Sequence, residues 1–370
     1  MTGYLTRAGL TRLAPAGVGC AAVADDGAVA YTTPDGVTLT TGAAALPVVR
    51  LRGGPFRSVG GLDLADDGLL VFQAGLRRGG DGIFLRTATG TDPLAVTGDP
   101  SPAGVPYVSF GRPTVTTAGG GWAVAFRAVL GDGRVCVVQQ VGNRRPVITL
   151  VSGQSLPDGT VADLSPSRLG HALCCVVRMA GGAATAVIVN GGVVAAGDWL
   201  REGAGGVARI LDPPAISAQL GFVTVEREDG GRALWTRPPG VVDPQVVVAT
   251  GDPAPGLESG TVLRIGAPVA SNCAALRVPF GVAAGIELTD GRFALWLGVF
   301  TGQVPLTGLA TVPAVSGART DDGHRLAGPL VPLSLSNTGI LLFRAGDALL
   351  RLDGLFESTV TGPAPPTGPA

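Results

Sequence analysis

The sequence contains no lysine, since all 27 basic side chains among its 370 residues are arginine. This absence excludes a phosphate-binding loop that ends in Gly-Lys-Ser/Thr, a Schiff-base lysine and the catalytic lysine of a kinase. Histidine occurs at only two positions, His171 and His324, so a metal site built from several histidines is also excluded. We expect His171 to pack at the start of a strand and His324 to lie in an exposed loop.

Charge is scarce and balanced, because 15% of the residues are charged and the net charge is −1. The chain therefore lacks the basic surface that binding to nucleic acid or anionic lipid requires. It has no apolar run long enough for a membrane span, and Met1 is not followed by the apolar core of a secretion signal. We expect either a cytoplasmic protein or a component of an extracellular or phage-like assembly.

The cysteines form no recognisable pattern. Five is an odd number, and no Cys-x-x-Cys pair occurs, which argues against a disulfide framework and a zinc site. The adjacent Cys174 and Cys175 could form a strained vicinal disulfide, but their apolar surroundings favour two free thiols on a buried strand. No calcium-loop motif occurs, and Gly203–Ala208 matches a dinucleotide-binding pattern without the helix that should follow it. We therefore expect no metal and no cofactor.

Glycine and proline are abundant, at 59 and 29 residues, and they mark a sequence repeat. The motif Thr-Gly-Asp-Pro-x-Pro occurs at 97–102 and 250–255, and a shortened copy occupies 361–365. Weaker copies near positions 53, 153, 197 and 312 complete a series with a mean interval of about 50 residues. The chain is thus predicted to consist of seven similar units.

Each unit carries two further elements. A glycine precedes an apolar strand that often ends in an aromatic residue and arginine, as in Gly68–Phe72, Gly121–Arg127 and Gly339–Arg344. Another apolar strand follows, for example at Asp81–Leu85 and Gly291–Trp296. Asp-Gly pairs between the strands favour tight hairpins, because both residues tolerate positive φ. Short apolar runs separated by glycine and proline predict an all-β fold.

Seven units of about four strands each predict a seven-bladed β-propeller, since one blade cannot cover both of its faces and ~40–50 residues is a common blade length. The last unit ends at Gly362 without its following strand, whereas the first begins with a spare segment, Tyr4–Val23. We predict that this N-terminal segment completes the last blade and closes the ring. Residues 1–362 would form a single propeller, and the Pro-rich residues 363–370 an extended tail.

The order of these elements resembles bacterial tandem repeats that contain the motif NxxGxxAF. The similarity rests on Ala118–Phe126 and on the elements at 81–102 and 248–256, and weaker similarity covers most of the chain. Three residues stand where the family has asparagine: Ala24, Ala65 and Ser336. The resemblance implies a propeller-like array with no established activity, and it brings no catalytic residues.

Arginine and aspartate recur at similar places in the units. The residues are Arg127, Arg178, Arg277 and Arg344, and, in the Gly-Asp elements, Asp99, Asp198 and Asp252. In the structural interpretation, which we expect, each arginine packs along its sheet and binds a nearby aspartate or turn carbonyl. In the functional alternative, several of the arginines surround one mouth of the axial channel and bind an anion.

Two classes of function fit this sequence. The absence of a catalytic constellation predicts a non-catalytic propeller, an interaction or structural module that binds protein partners or copies of itself in a larger assembly. The alternative is a carbohydrate-binding or hydrolytic propeller whose carboxylates meet on the axis. Its candidate carboxylates are Asp63, Asp163, Asp212 and Glu226. Trp235 and Trp296 end equivalent strands, so we expect them to pack between blades rather than against a sugar.

Overall fold

A computed structural model describes residues 9–14, 18–42, 44–118, 121–156, 159–165, 168–169, 173–190, 193–194, 200–202, 206–217, 220–237, 245–271, 280–301 and 307–355. The described strands form seven separate antiparallel sheets of four or more strands. Each sheet is one blade of a seven-bladed β-propeller, which confirms the fold that the repeat predicts. None of the described segments is a helix with the length and apolar character needed to cross a bilayer.

The strands of the first three blades and the N-terminal strand are β1 (Leu10–Ala14), β2 (Ala21–Val23), β3 (Val29–Thr33), β4 (Gly36–Thr41), β5 (Ala44–Arg50), β6 (Phe56–Leu64), β7 (Leu70–Leu76), β8 (Asp81–Arg86), β9 (Thr91–Val96), β10 (Tyr107–Phe110), β11 (Thr114–Ala118), β12 (Gly121–Leu130), β13 (Val135–Val141) and β14 (Val147–Val151). A 3₁₀ turn occupies Asp66–Gly68.

The remaining strands are β15 (Ser155–Leu156), β16 (Gly159–Leu164), β17 (Arg168–Leu169), β18 (Leu173–Met179), β19 (Ala184–Asn190), β20 (Val193–Val194), β21 (Leu200–Arg201), β22 (Val207–Ser217), β23 (Leu220–Arg227), β24 (Arg232–Arg237), β25 (Gln245–Ala249), β26 (Val262–Ala270), β27 (Phe280–Leu288), β28 (Phe293–Thr301), β29 (Thr307–Val315), β30 (Leu330–Leu335), β31 (Leu341–Ala345) and β32 (Ala348–Leu352). Blades 1 to 6 contain β2–β5, β6–β9, β10–β14, β15–β21, β22–β25 and β26–β29, and blade 7 contains β30–β32 with β1.

The ring closes where the beginning of the chain meets its end. β1 pairs antiparallel with β32, with Leu10 opposite Leu352 and Thr11 opposite Arg351. This confirms that an N-terminal strand completes the last blade. The predicted closing segment was too long, however, because Ala21–Val23 pairs with β3 and is the innermost strand of blade 1.

The hydrophobic core lies between the blades rather than inside them. Each of the seven largest clusters of buried side chains combines residues of two neighbouring blades, and one joins blade 7 to blade 1. Trp296 of blade 6 lies in the same buried cluster as Phe222 of blade 5, and Trp235 of blade 5 packs against a cluster that includes Val176 of blade 4. Both tryptophans therefore pack between blades, as expected. Burial of one such side chain contributes about 1.5–3 kcal/mol, so the stacked faces hold the ring together.

The innermost strands of blades 2, 3 and 5 are interrupted near their middles. The ladder of β6 shifts at Gly60-Gly61, β10 and β11 are separated by Gly111–Pro113, and the ladder of β22 shifts across Asp212–Pro214. Glycine favours bulges and proline cannot donate to a ladder, which explains why pairing stops at these positions. The interruptions leave carbonyl groups of the inner strands without regular ladder partners.

Cys174 and Cys175 both lie on β18 as thiols rather than in a disulfide, which confirms the interpretation that the sequence favoured. Successive strand residues face opposite sides of a sheet. Accordingly, Cys174 packs against Ile216 of blade 5, and Cys175 lies in the core between blades 3 and 4. Burial raises the pKa of Cys174 to about 12, so this thiol stays protonated near neutral pH.

Candidate functional site

The arginines that the sequence grouped together do not share one strand register. In blades 2 to 6 the second strand ends at a hairpin whose first residue donates its N–H to the carbonyl four residues later. Leu130 and Met179 are two of these residues. Arg127 lies three positions before Leu130, whereas Arg178 lies one position before Met179. The expected equivalence of Arg127 and Arg178 is therefore wrong, because the aromatic-arginine pattern ignores the distance to the hairpin.

Residues at the Arg127 position connect one blade to the next. The bonds at this position run from Gln73 Nε2 to Phe110 O (2.8 Å), from Arg127 Nε to Leu164 O (2.7 Å) and from Thr224 Oγ1 to Gly266 O (2.8 Å). The acceptor carbonyls lie beside the interruptions of the inner strands, where a side-chain donor replaces the ladder. Arg127 also forms an ion pair with Asp163 at 2.9 Å, so its role in the structure is to join blades 3 and 4.

At the register of Arg178 in blades 4, 5 and 6, residues of opposite charge face each other on the first and second strands. The paired residues are Asp163 with Arg178, Arg209 with Glu226 and Arg264 with Glu287. Arg178 is thus matched by glutamates in the next two blades rather than by further arginines. Arg344 is half-buried and follows Phe343 as Arg127 follows Phe126. It lies one position before the strand end at Ala345, opposite Val331, so it shares the register of Arg178 rather than that of Arg127. Arg277 lies outside the described residues.

The recurring aspartates belong to the turns that lead from one blade into the next. Asp99 is exposed, and its carbonyl accepts the N–H of Tyr107 at the start of the next inner strand. Asp252 is also exposed, and its Oδ2 accepts the N–H of Ala249 at 2.8 Å. These contacts fix the turn and place neither residue in a shared site. Asp198 lies outside the described residues.

The candidate carboxylates of a hydrolytic site lie in different blades and bind different donors. Asp63 Oδ2 accepts the Thr114 hydroxyl at 2.8 Å and the Val115 N–H at 3.0 Å. Glu226 binds Arg209 at 2.9 Å, and Asp163 binds Arg127. Asp212 lies in β22, but its side chain is outside the described part of the structure. A hydrolase of this type needs two carboxylates facing one substrate. Asp63, Asp163 and Glu226 instead lie in three different blades, and each binds donors of its own.

The structure brings a different set of charged residues together at one end of the axial channel. The inner strands begin at this end, which we call the entry face, and the second strands reach their hairpins there. A concavity of about 400 Å³ opens between blades 5, 6 and 7. We call it the mouth pocket, and its main lining residues are Arg112, Arg232, Arg264, Glu287, Val331 and Pro332.

Two glycines shape the mouth pocket. A Cβ at Gly61 would lie 2.4 Å from Cγ of Arg112, so the absence of a side chain lets Arg112 lie across β6 and donate Nε–H to Leu62 O at 3.2 Å. Gly285 lies at the Arg127 position of blade 6, where a Cβ would be 2.3 Å from the Leu330 carbonyl. Blade 7 therefore packs directly on the β27 backbone beneath the pocket.

The mouth pocket holds more positive than negative charge. It is lined by three guanidinium groups and one carboxylate, that of Glu287, which lies 3.9 Å from Arg264 Nε. Arg232 Nη1 donates to the Ile265 carbonyl at 3.4 Å, and no ion pair of Arg112 or Arg232 is found among the described residues. Such a site attracts anions and disfavours cations.

A second concavity continues the mouth pocket across the entry face. This hairpin groove runs between the β23–β24 hairpin and the start of β26, and it shares Arg232 and Arg264 with the mouth pocket. The groove is also lined by Arg227 and Asp229, which form an ion pair with each other at 2.8 Å. Exposed apolar side chains flank both concavities, with Leu263 41% and Val331 37% accessible. The combined site is elongated and amphipathic.

The residues of this site were not predicted from the sequence, although one signal was present. Val207-Ala-Arg-Ile210 and Val262-Leu-Arg-Ile265 are matching starts of two inner strands, and each places arginine on the entry face. Arg112 and Arg232 have no such repeated context. Their convergence depends on blades that are distant in the sequence, so the repeat alone could not reveal it.

No protein-family model matches this sequence, and a search of curated proteins found no match. Solved structures with a similar fold include a chain of the mitotic checkpoint complex, with 10% identity, a TM-score of 0.49 and coverage of 96% of this chain and 97% of that chain. The WD40 domain of SCAP from fission yeast is 8% identical, with a TM-score of 0.47 and coverage of 94% and 88%. YCF48 bound to D1 peptide is 12% identical, with a TM-score of 0.45 and coverage of 94% and 97%. At these values the likenesses carry no argument about function.

Proposed function

We propose that this chain is a non-catalytic, protein-interaction propeller that binds its partner at the entry face. The mouth pocket carries this proposal, because it combines exposed aliphatic side chains with arginines, and arginine is enriched among the residues that dominate protein interfaces. The pocket opens on the axis, and its lining comes from several blades, so a partner there would contact the ring as one unit. Self-association through the same face is an outcome that the experiment below distinguishes.

The available carboxylates support a binding role better than a hydrolytic one. Asp63 and Asp163 are held by donors of neighbouring blades, as described above. In the part of the chain that the structure describes, no group of three or more His, Cys, Asp or Glu side chains is placed to hold a metal ion. These contacts of Asp63 and Asp163 do not support a hydrolytic site.

We also propose that the units belong to the NxxGxxAF-type repeats. The turns around Gly27, Gly68 and Gly339 support this assignment. All three glycines have positive φ, and each lies in a five-residue turn between the first and second strands of its blade. Their polar residues are Asp25, Asp66 and Asn337, each one position later than the family's asparagine.

The proposal is tested by isolating the full chain from its native cells after mild chemical crosslinking. Val331→Asp and Arg232→Glu alter the mouth pocket, whereas Leu46→Asp and Arg86→Glu make matched changes elsewhere. Leu46 is 56% exposed on the outer strand of blade 1. Arg86 is the last residue of β8, the third strand of blade 2, whereas Arg232 is the first residue of β24, the third strand of blade 5.

We expect a stoichiometric partner with the wild type and both controls, and its loss with both mouth-pocket variants. A partner that is a second copy of this chain would identify self-assembly. Absence of a stoichiometric partner, or a partner retained by Val331→Asp and Arg232→Glu, would contradict the proposal.

A further inference from the structure

The guanidinium groups of Arg232 and Arg264 at the entry face indicate the chemistry of the partner. In the hairpin groove, Arg227 is neutralised by Asp229, and the neighbouring Glu226 is neutralised by Arg209. Arg232 instead binds a backbone carbonyl, and Arg264 faces Glu287 at the long distance of 3.9 Å with 69% of its side chain exposed. The charge that remains available in the groove is therefore positive, and it lies on Arg232 and Arg264.

The adjoining mouth pocket supplies an apolar surface. Ile265, Val331 and Pro332 line it, and the Val331 side chain is exposed to solvent. A lone inorganic anion would leave this surface in water. A ligand that carries both a carboxylate and an aliphatic side chain would cover it and gain the hydrophobic contribution.

The shape of the site favours an extended chain over a compact ligand. The hairpin groove and the mouth pocket are adjacent depressions, because Arg232 and Arg264 line both. An extended peptide places neighbouring side chains on opposite sides at ~3.3 Å per residue, so it can direct acidic and aliphatic residues into such a depression in turn. Guanidinium groups also bind carboxylates through two parallel hydrogen bonds, which fixes orientation.

We infer that the occupant is an extended, acidic segment of a protein partner, whose carboxylates bind Arg232 and Arg264 while an aliphatic side chain enters the mouth pocket. This inference rests on the proposed function and specifies its ligand. The positive groove provides the charge complementarity that selects an acidic segment and excludes a basic one.

The test uses the full chain and a short fluorescein-labelled peptide of glutamate and leucine. Two further probes are the same peptide with glutamine in place of glutamate, and glutarate as a small dicarboxylate competitor. Fluorescence anisotropy measures binding to the wild type, to Arg232→Ala and Arg264→Ala, and to the control Arg86→Ala. Circular dichroism and thermal unfolding establish that each variant is folded.

We expect the glutamate peptide to bind, each groove variant to weaken binding by about tenfold, and added salt to weaken it further. Arg86→Ala should bind like the wild type. Equal binding of the glutamine peptide would show that charge does not select the ligand, and equal affinity for glutarate would show a small-anion site. Either result overturns the inference.

The two proposals can fail separately. If the native partner depends on Val331 but the glutamate peptide does not bind, the assignment of an acidic segment is wrong and the interaction function stands. If the glutamate peptide binds but the native chain has no partner that depends on the mouth pocket, the proposed function is wrong. Failure of both experiments would remove the entry face as a binding site.

Discussion

Asp25 shows how one half-buried carboxylate helps to join the first and last blades. Asn337 of blade 7 donates its backbone N–H and its Nδ2–H to the two carboxylate oxygens of Asp25, both at 2.6 Å. The Asp25 N–H in turn binds Asp66 Oδ1 of blade 2 at 2.9 Å. Burial raises the pKa of Asp25 above its ordinary value, the bonds from Asn337 partly oppose this shift, and nearby carboxylates reinforce it.

This raised pKa predicts that Asp25 makes the fold less stable as pH rises. The folded state holds the proton of Asp25 more tightly than the unfolded state does. The stability that Asp25 contributes is therefore fully present below its pKa in the unfolded state, and it is lost as pH rises through its pKa in the folded state. Urea unfolding of the wild type and Asp25→Asn, measured across the acid range, should show the wild type losing stability relative to the variant as pH increases.

Asp290 provides a control with the opposite sign. It is an exposed hairpin carboxylate, and hydrogen bonds from Arg292 lower its pKa. The wild type should therefore gain stability relative to Asp290→Asn as pH rises. The gain begins near the pKa of Asp290 in the folded state and is complete above its pKa in the unfolded state. Parallel curves for Asp25→Asn and the wild type would show that Asp25 does not titrate differently in the folded state.

At the scale of the strands, side chains that cross between blades compensate for the interrupted inner strands. Gln73 illustrates this, because its Nε2 binds the Phe110 carbonyl of the next blade at 2.8 Å. Gln73→Ala leaves a partly buried carbonyl without this donor and should destabilise the protein by about 1–3 kcal/mol in chemical unfolding. Gln140→Ala is the matched control, since Gln140 bonds only within its own hairpin, to the Gly142 carbonyl at 3.3 Å. Equal effects of the two variants would show that the contact between blades is unimportant.

Strand packing beneath the mouth pocket leads to another prediction. A methyl group at Gly285 would lie 2.3 Å from the Leu330 carbonyl, so Gly285→Ala must push β30 away from β27. Overpacking of this kind typically costs about 1–3 kcal/mol, measurable as a lower urea midpoint. Gly121→Ala is the control, because nothing lies within 4 Å of a Cβ at Gly121. A wild-type midpoint for Gly285→Ala would show that blade 7 can move away without cost.

The same elements show what could be predicted from the sequence. The blades were predictable because turns and apolar strands repeat at nearly constant spacing. The inner-strand interruptions were not, since Gly60-Gly61 and Asp212–Pro214 look like ordinary turns until the ladders on both sides are known. The register error at Arg178 has a similar cause: local similarity to the segment before Arg127 does not reveal a two-residue difference from the hairpin.

At the scale of the whole molecule, stability depends on a complete ring of blade interfaces. A cluster that includes Tyr31 of blade 1 and Leu342 of blade 7 closes the ring on the axial side, and β1 adds the outer strand of blade 7. The sequence predicted this closure from a unit that lacked one strand. The site at the mouth was harder to predict, because Arg112 and Arg264 meet only when distant blades surround a common axis.

The register of the closing strand is tested by two neighbouring residues. Leu10 is 8% exposed and packs in the core between blades 6 and 7, whereas Thr11 is exposed. Leu10→Ala should therefore cost about 2–5 kcal/mol, and Thr11→Ala should change the unfolding free energy by no more than ~0.5 kcal/mol. A slip of one residue would exchange the buried and exposed faces of β1 and would reverse the order of the two effects. Equal, small effects would instead show that β1 does not hold the ring closed in solution.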